Sequence, residues 1–445
     1  MFRDKITRMA RITAQSRVAS PVIIRSVPQR LREVMEEVQP FVEEVKELFP
    51  RLMAPAIMPF TPYPMRVVNR FDVVAAILPR EVIFRLAENP YVERIYHDQV
   101  MYALFQTVPD EGVFRAPHRI LKEITFTSTM WTKRLVGADV ANKKGFRGRG
   151  VLVSITDTGA SRVHEQTRRV EFETTMKEYR DENGHGTHCT STVGGETAID
   201  EYLSQRAGRR VLCEGMAPEC GLLAVKCLGY YIGMGSTSNI IDALAMSLDR
   251  GASVISMSLG GTSQTETPQE DPYYPVMDEV VKYGAIPVIA AGNEGPGSNT
   301  IGSPGCMSQV LTVGAYDPVR GNVADFSSRG PTNWQDTKPD VVAPGVNVDS
   351  AIVGVLDTAG DGVPSRFSPI SGTSMATPHV AGLVALMVEC HRRVLGRTLT
   401  VEEIKKMMSE LGLEKNNTVG WGAITWEIYE KWLSTTYGVD LNAKR

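Results

Sequence analysis

Four short segments of this 445-residue chain carry side chains that, if brought together, would cleave an acyl bond. The first is Ile155-Thr156-Asp157-Thr158-Gly159, where an apolar run ends in an aspartate and a glycine turn. The second is Asn183-Gly184-His185-Gly186-Thr187-His188-Cys189, with a histidine between two glycines. The third, Ala290-Ala291-Gly292-Asn293-Glu294-Gly295, puts an amide side chain at the end of an apolar run. The fourth, Ser371-Gly372-Thr373-Ser374-Met375-Ala376-Thr377-Pro378-His379, leads a serine into an apolar helix. The parts needed are a nucleophile, a proton shuttle that titrates near neutrality and donors for a developing oxyanion. A serine at a helix N-terminus has free N–H groups and the positive end of the helix dipole beside it. A strand-terminal aspartate can hold an imidazole in one tautomer and stabilise its charged form. Residue chemistry alone does not choose between His185 and His188. Two nearby histidines also suit a metal, but no glutamate lies between them in an H-E-x-x-H frame.

The elements that must position these segments are legible from hydrophobic runs. Strands are expected over 151–156, 221–227, 253–258, 286–291, 310–313 and 340–342, and helices over 185–193, 237–250, 274–283, 374–391 and 401–411. That alternation predicts an α/β unit with a mainly parallel sheet covered by helices on both faces. In such sheets ligands bind at the carboxyl ends of the strands, where the four segments fall.

Residues up to about 103 follow a different regime, rich in Arg, Glu and Pro and poor in Gly. Pro21–Val27 reads as a strand. Apolar positions from Leu31 to Phe49 recur at helical spacing, with Pro40 inside the helix. Residues 65–78 read as one or two strands, Pro79 opens a short helix, and Tyr91–Val100 is a last strand. The expected division is a basic arm over 1–17 extending into solvent, a small α+β domain over 18–103, a linker over 104–130, the α/β domain over 131–435 and a tail over 436–445.

A net charge of −3, spread along the chain, argues against a nucleic-acid partner. No apolar run approaches the roughly 20 residues of a membrane span. Residues 1–17 hold five Arg or Lys and one Asp, with no apolar stretch of the secretory type after them. The compartment therefore stays open between the cytoplasm and export by another signal. All six cysteines lie beyond residue 188 without zinc-site spacing, and Cys213 and Cys220 are near enough in sequence for a local disulfide.

The order Asp157, Gly184-His185-Gly186-Thr187-His188, Ala290-Ala291-Gly292-Asn293, then Gly372-Thr373-Ser374-Met375-Ala376-Thr377-Pro378-His379 resembles the subtilase family of serine proteases over residues 128–433. The resemblance implies a subtilisin-like three-layer α/β/α fold and a triad of Asp157, His185 and Ser374, with Asn293 as oxyanion donor. It implies that Cys189 is a buried thiol beneath the site, as in cysteine-containing branches, and not the nucleophile. The segment Leu78-Pro79-Arg80-Glu81-Val82-Ile83-Phe84-Arg85-Leu86-Ala87-Glu88-Asn89-Pro90-Tyr91-Val92-Glu93-Arg94-Ile95, with Asp98, is similar to the family's ferredoxin-like inhibitor propeptide. In that family the propeptide aids folding, blocks the cleft and is cut off by the enzyme itself. Ser258, Leu259 and Gly260 resemble one edge of the substrate cleft, and Gly233 and Gly235 the other. Gly302, with Ala290, Ala291 and Gly260 on the walls, would form a first pocket for large apolar side chains, Gly292 is a further substrate-binding residue, and Thr237 and Ile240 fall near a fourth pocket. The family's tight calcium loop is longer and altered over 194–215, where Glu196, Asp200 and Glu201 offer oxygen ligands. Asp317 matches a weaker cation site. The expected enzyme is a monomeric serine endopeptidase acting on proteins or peptides, with structural calcium and no catalytic cofactor.

Two other readings compete. An inert peptide-binding relative would lack part of the machinery, yet all four parts are present. An α/β-hydrolase esterase needs Gly-x-Ser-x-Gly and the order Ser, Asp, His, whereas this chain has Asp, His, Ser.

Overall fold

The computed structural model describes residues 2–16, 19–48, 65–104, 128–229, 232–263, 265–353 and 366–442. Most of the expected linker lies outside them. The N-terminal unit opens with helix α1 (Arg8–Ser16), strand β1 (Ala19–Ser26) and helix α2 (Leu31–Leu48), then β2 (Met65–Val68), β3 (Val73–Pro79), α3 (Arg80–Leu86), β4 (Val92–His97) and β5 (Val100–Ala103). Strands β1 to β4 form an antiparallel sheet in the order β2-β3-β1-β4.

Residues 1–17 were expected to extend into solvent, and the structure corrects this. Ile6, Ala10 and Ala14 recur every fourth residue, so one face of the first turns is apolar, and all three are buried against the N-terminal sheet. The run Val73-Val74-Ala75-Ala76-Ile77-Leu78 lacks polar alternation because both faces of β3 are covered. Val74, Ala76 and Leu78 pack with Val34, Val38 and Val42 of α2, while Val73 and Ala75 face the larger unit.

That larger unit begins with α4 (Thr129–Leu135) and α5 (Ala138–Lys143), followed by β6 (Leu152–Asp157), β7 (Glu171–Thr174), α6 (His185–Gly194), β8 (Ala198–Asp200), α7 (Glu201–Ala207), β9 (Val211–Cys213), β10 (Gly221–Lys226) and β11 (Met234–Ser236). Next come α8 (Thr237–Asp249), β12 (Val254–Met257), β13 (Leu259–Gly260), α9 (Tyr273–Tyr283), β14 (Ile286–Ala290), β15 (Leu311–Tyr316), β16 (Val341–Pro344), β17 (Val348–Ala351), β18 (Phe367–Ile370), α10 (Thr373–Leu395), α11 (Val401–Glu410) and α12 (Trp426–Tyr437). The central sheet has seven strands in the order β16-β15-β14-β12-β6-β10-β7, all paired in parallel.

Side-chain alternation splits the core into two layers. Val153, Ile155 and Ala224 face α6 and α10, while Leu223, Val225 and Ile255 face α8 and α9. The result is a three-layer α/β/α fold. Helix α10 is buried from Thr373 to His391, which explains its apolar circumference and fixes its first turn rigidly. Truncating one of its leucines, such as Leu383, should cost about 2–5 kcal/mol.

Ile23, Val73, Ala75 and Tyr96 of the N-terminal sheet share one apolar cluster with Ile241, Leu244, Tyr273 and Val276 of α8 and α9. Charged contacts rim this cluster. Arg66 pairs with Asp242 and donates to the Thr175 carbonyl at 2.9 Å, and Arg25 pairs with Glu279. Asp98 caps α8, accepting from the Ser238 N–H at 3.0 Å and from its hydroxyl at 2.6 Å.

The proposed local disulfide does not form: Cys213 and Cys220 are both reduced and buried. The intervening turn sends them into different clusters, Cys213 beside Phe367 and Cys220 beneath Gly194. The expected tail is also partly docked, since Val439 and Leu441 pack against the main core.

Candidate active site

Asp157 ends β6 and is fully buried. Its Oδ1 accepts from the Thr158 N–H at 2.6 Å and lies 2.7 Å from His185 Nδ1. His185 is the first residue of α6, and Gly186 explains how the helix approaches so closely. A Cβ there would lie 2.1 Å from the Gly159 carbonyl, so only glycine lets α6 touch the β6 turn.

Asp181, which sequence reasoning passed over, ties this corner together. It accepts from the Thr158 hydroxyl, the backbone N–H groups of Asn183, Gly184 and Thr187, and the Thr187 hydroxyl. An aspartate three residues before a glycine at a helix entrance was the available signal.

Ser374 lies in the first turn of α10. Its hydroxyl donates to the Ser258 carbonyl at 2.9 Å, and the Ser258 hydroxyl donates to the Ser374 carbonyl at 2.9 Å. Cys189 sits below, its Sγ 3.9 Å from His185 Nδ1 and 3.5 Å from the Ser374 carbonyl. Burial pushes that thiol up, so it stays protonated. One ligand atom each from Asp157, His185 and Cys189 falls in a metal-sized cluster. The imidazole Nδ1 is already committed to the Asp157 carboxylate, however, which leaves it no lone pair for an ion.

Asn293 follows β14. Its Oδ1 accepts from the Thr373 N–H at 2.9 Å and the Thr373 hydroxyl at 3.0 Å. The backbone donor fixes which end of the amide is oxygen, leaving Nδ2 as the free end. Asn293 lines a cavity of about 610 Å³ with Gly260, Gly261, Tyr102 and Leu104.

Burial opposes charge on His185, but the Asp157 carboxylate outweighs it and raises the imidazole well above its ordinary value. Burial drives His188 down to about 3 and His379 to about 4. His188 Nε2 meets the Val348 carbonyl at 2.9 Å, and His379 bridges the Met375 carbonyl and the Thr132 hydroxyl. Both are neutral packing residues. Geometry thus separates His185 from His188, which residue chemistry could not.

Strand β5 of the N-terminal unit lies antiparallel between β11 and β13. Met234, Gly235 and Ser236 pair with Tyr102, Met101 and Val100, and Leu259 and Gly260 pair with Ala103 and Tyr102. The Ala103 N–H donates to Gly233 at 2.9 Å, and the Leu104 N–H to Ser258 at 3.3 Å. Met101 is buried with Ile240 and Ala291, Tyr102 is exposed, and the Leu104 side chain faces Gly260. The Thr237 N–H donates to the Gln99 carbonyl at 3.0 Å. Gly302 donates to the Ala291 carbonyl at 3.0 Å, and a Cβ there would lie 2.8 Å from the Gly261 carbonyl. Gly292 donates to the Thr373 hydroxyl at 3.3 Å. Gly233, Gly235, Ser258, Leu259, Gly260 and Thr237 thus each pair with or bond to the segment 99–104.

The oxygen ligands named for calcium do not converge. Glu196 and Glu201 face solvent, while Asp200 turns inward. Asp317 accepts from Val319 and Arg320 N–H groups, and Arg320 Nε stands 3.7 Å from its other oxygen. No helix among the described residues is long and apolar enough to cross a membrane.

A buried Asp–His pair, a serine at a helix N-terminus and a groove that takes an extended chain define a serine peptidase on a parallel α/β scaffold. The Subtilase family model matches residues 148–422, and this chain belongs to that family and is a serine endopeptidase. It is 32% identical over 372 residues to serine protease AprX of Bacillus subtilis (strain 168), covering 78% of this chain and 74% of that one. It is 33% identical over 294 residues to subtilisin DY of Bacillus licheniformis, covering 65% and 93%. It is 31% identical over 356 residues to the thermophilic serine proteinase of Bacillus sp. (strain AK1), covering 78% and 76%.

Proposed function

We infer that the chain is an autoprocessed zymogen whose mature part cleaves peptide bonds through an acyl-enzyme on Ser374. His185, held by Asp157, takes the Ser374 proton as the hydroxyl turns from the Ser258 carbonyl toward the imidazole. The Ser374 oxygen attacks the substrate carbonyl, and the imidazolium then protonates the leaving amine. Asn293 Nδ2 and the Ser374 N–H hold the oxyanion. Water enters by the reverse sequence and frees the acid. Preference for large apolar side chains follows from the Leu104 seat against Gly260.

The observation that carries this reading is a shared acceptor. The Ser258 carbonyl receives both the Ser374 hydroxyl and the Leu104 N–H. A chain bound as an added strand places the carbonyl of the residue so held next to the nucleophile. The N-terminal unit is accordingly an inhibitor that fills its own enzyme's cleft, and the bond cut in maturation is Leu104–Phe105. The test is the new N-terminus, read by mass spectrometry after incubation of the purified precursor. Phe105 is expected at that terminus, with the Ser374→Ala precursor uncut. A first cut far downstream of residue 105, or equal processing of the variant, would refute the reading.

A further inference from the structure

We propose that Asp200, Cys213 and Asp349 form a site for a borderline divalent cation of the zinc class, and not for calcium. Asp200 ends β8, Cys213 ends β9 and Asp349 lies in β17. One ligand atom from each falls within 4.8 Å of the others, and all three residues are at most 2% exposed. The Cys213 Sγ stands 3.7 Å from Asp349 Oδ2, and the Thr129 hydroxyl hydrogen-bonds the same sulfur.

The surroundings sharpen the case. Cys213 packs with Ala198, Ala351 and Phe367, an apolar setting. Among the described residues no basic side chain pairs with Asp200 or Asp349. Asp340, equally buried, shows how this protein treats such a carboxylate: Lys338 and Lys415 each lie 2.7 Å away, and Lys405 3.9 Å. A bound dication would supply the counter-charge that this buried pair lacks.

The thiol decides which cation. Calcium takes six to eight hard oxygens, which this set cannot supply. Carboxylate oxygens with one thiolate suit a four-coordinate zinc-class ion, with Thr129 or a water as the fourth ligand. On binding, the Cys213 S–H proton leaves to solvent, and the metal–sulfur bond replaces it. The site would join the paired strands β8 and β9 to β17, whose Asp349 also bridges to Ser128 just before α4. It would therefore pin the start of the mature unit to the strand that leads through β18 to the Ser374 helix.

The test uses the full-length Ser374→Ala chain, stripped with a chelator and then offered zinc, cobalt(II) or calcium. About one zinc per chain should be retained, the melting temperature should rise, and cobalt should give a thiolate charge-transfer band. Cys213→Ser should abolish that band and weaken zinc binding at least tenfold. Zinc should also slow alkylation of Cys213 in the unsubstituted thiol protein, leaving Cys220 unaffected, a readout that needs no variant at position 213. Failure to retain zinc, unchanged binding in Cys213→Ser, no protection of Cys213, or displacement by equimolar calcium would each overturn the proposal. None of these readouts depends on proteolysis, so they stand or fall separately from the catalytic reading.

Discussion

Ser258 and Ser374 hold one another: each hydroxyl donates to the other's main-chain carbonyl, both at 2.9 Å. The first of these bonds positions the backbone of the nucleophile, and the second parks its hydroxyl while the groove is filled. Ser258→Ala removes only the first. One hydrogen bond of ordinary strength is at stake, so kcat should fall about tenfold with KM nearly unchanged. A peptide-substrate titration of the mature form checks this, and a change confined to KM would speak against it.

Asn293→Ala should lower kcat by about 10²–10³, a magnitude carried over from the corresponding asparagine of a subtilisin. The bonds from Thr373 to Asn293 Oδ1 add a second, graded expectation. Thr373→Val removes the 3.0 Å hydroxyl donor but keeps the backbone donor at 2.9 Å. Its loss should be smaller, about tenfold, and confined to kcat, since only one hydrogen bond aiming the amide is gone.

The pH profile follows from the direction of the His185 shift. Asp157 raises the imidazole, and the base must be neutral to act, so activity should climb as pH rises through this elevated value. Asp157→Asn removes the raising charge. The acid limb should then move to lower pH, while the plateau falls by about 10⁴, as when the same role is neutralised in other serine proteases. An unmoved acid limb in the variant would mean that another group controls it.

Sequence legibility ended where partners come from far away. Alternating apolar runs placed the central strands because each feeds a buried parallel sheet, whose hydrophobicity is local information. The continuous apolar run of β3 gave no sign of which partner covers its second face; that partner is the pair α8 and α9, which lie far downstream in the chain. The Asp157, His185, Asn293 and Ser374 segments were readable through their order, which resembles the family's, since each alone is common turn chemistry. Asp181, by contrast, acts through five bonds to residues on both sides of the β6–α6 corner, and only coordinates reveal that convergence. The β17–β18 pair escaped because its inward Ser350 bonds the Ser191 and Thr192 hydroxyls and the His188 carbonyl instead of packing in an apolar layer. Helix α12 escaped as well, since its aromatic residues are buried against α10 in a way that composition does not announce.

Gly260 offers a specificity test. An added Cβ would sit 3.0 Å from Leu104 Cδ1 and 3.3 Å from the Ser303 carbonyl, so Gly260→Ala makes the seat shallower. Overpacking of this kind costs typically 1–3 kcal/mol, so kcat/KM for a phenylalanine or leucine at the first position should drop about tenfold relative to alanine. Paired peptide substrates differing only at that residue provide the measurement.

Asp340 offers a stability test far from the chemistry. Burial opposes its charge, yet Lys338, Lys405 and Lys415 together hold its carboxyl well below the ordinary range, while burial pushes Lys338 down to about 7. Asp340→Asn leaves buried ammonium groups without a carboxylate and should cost about 3–5 kcal/mol in urea denaturation at pH 7. A carboxyl whose folded pKa is depressed stabilises the fold above its unfolded pKa, and that stability is lost as pH falls through the folded value. The gap between parent and variant should therefore narrow below about pH 4. A constant gap would place the effect in packing instead.

The most direct measurement maps a serine-reactive phosphonate onto the processed protein by peptide mass spectrometry. One adduct per chain is predicted, on the peptide containing Ser374, and it should vanish in His185→Ala that has been matured by added parent enzyme. An unmodified Ser374, or an adduct that persists at full rate without the imidazole, would contradict the assignment of this site as the catalytic centre.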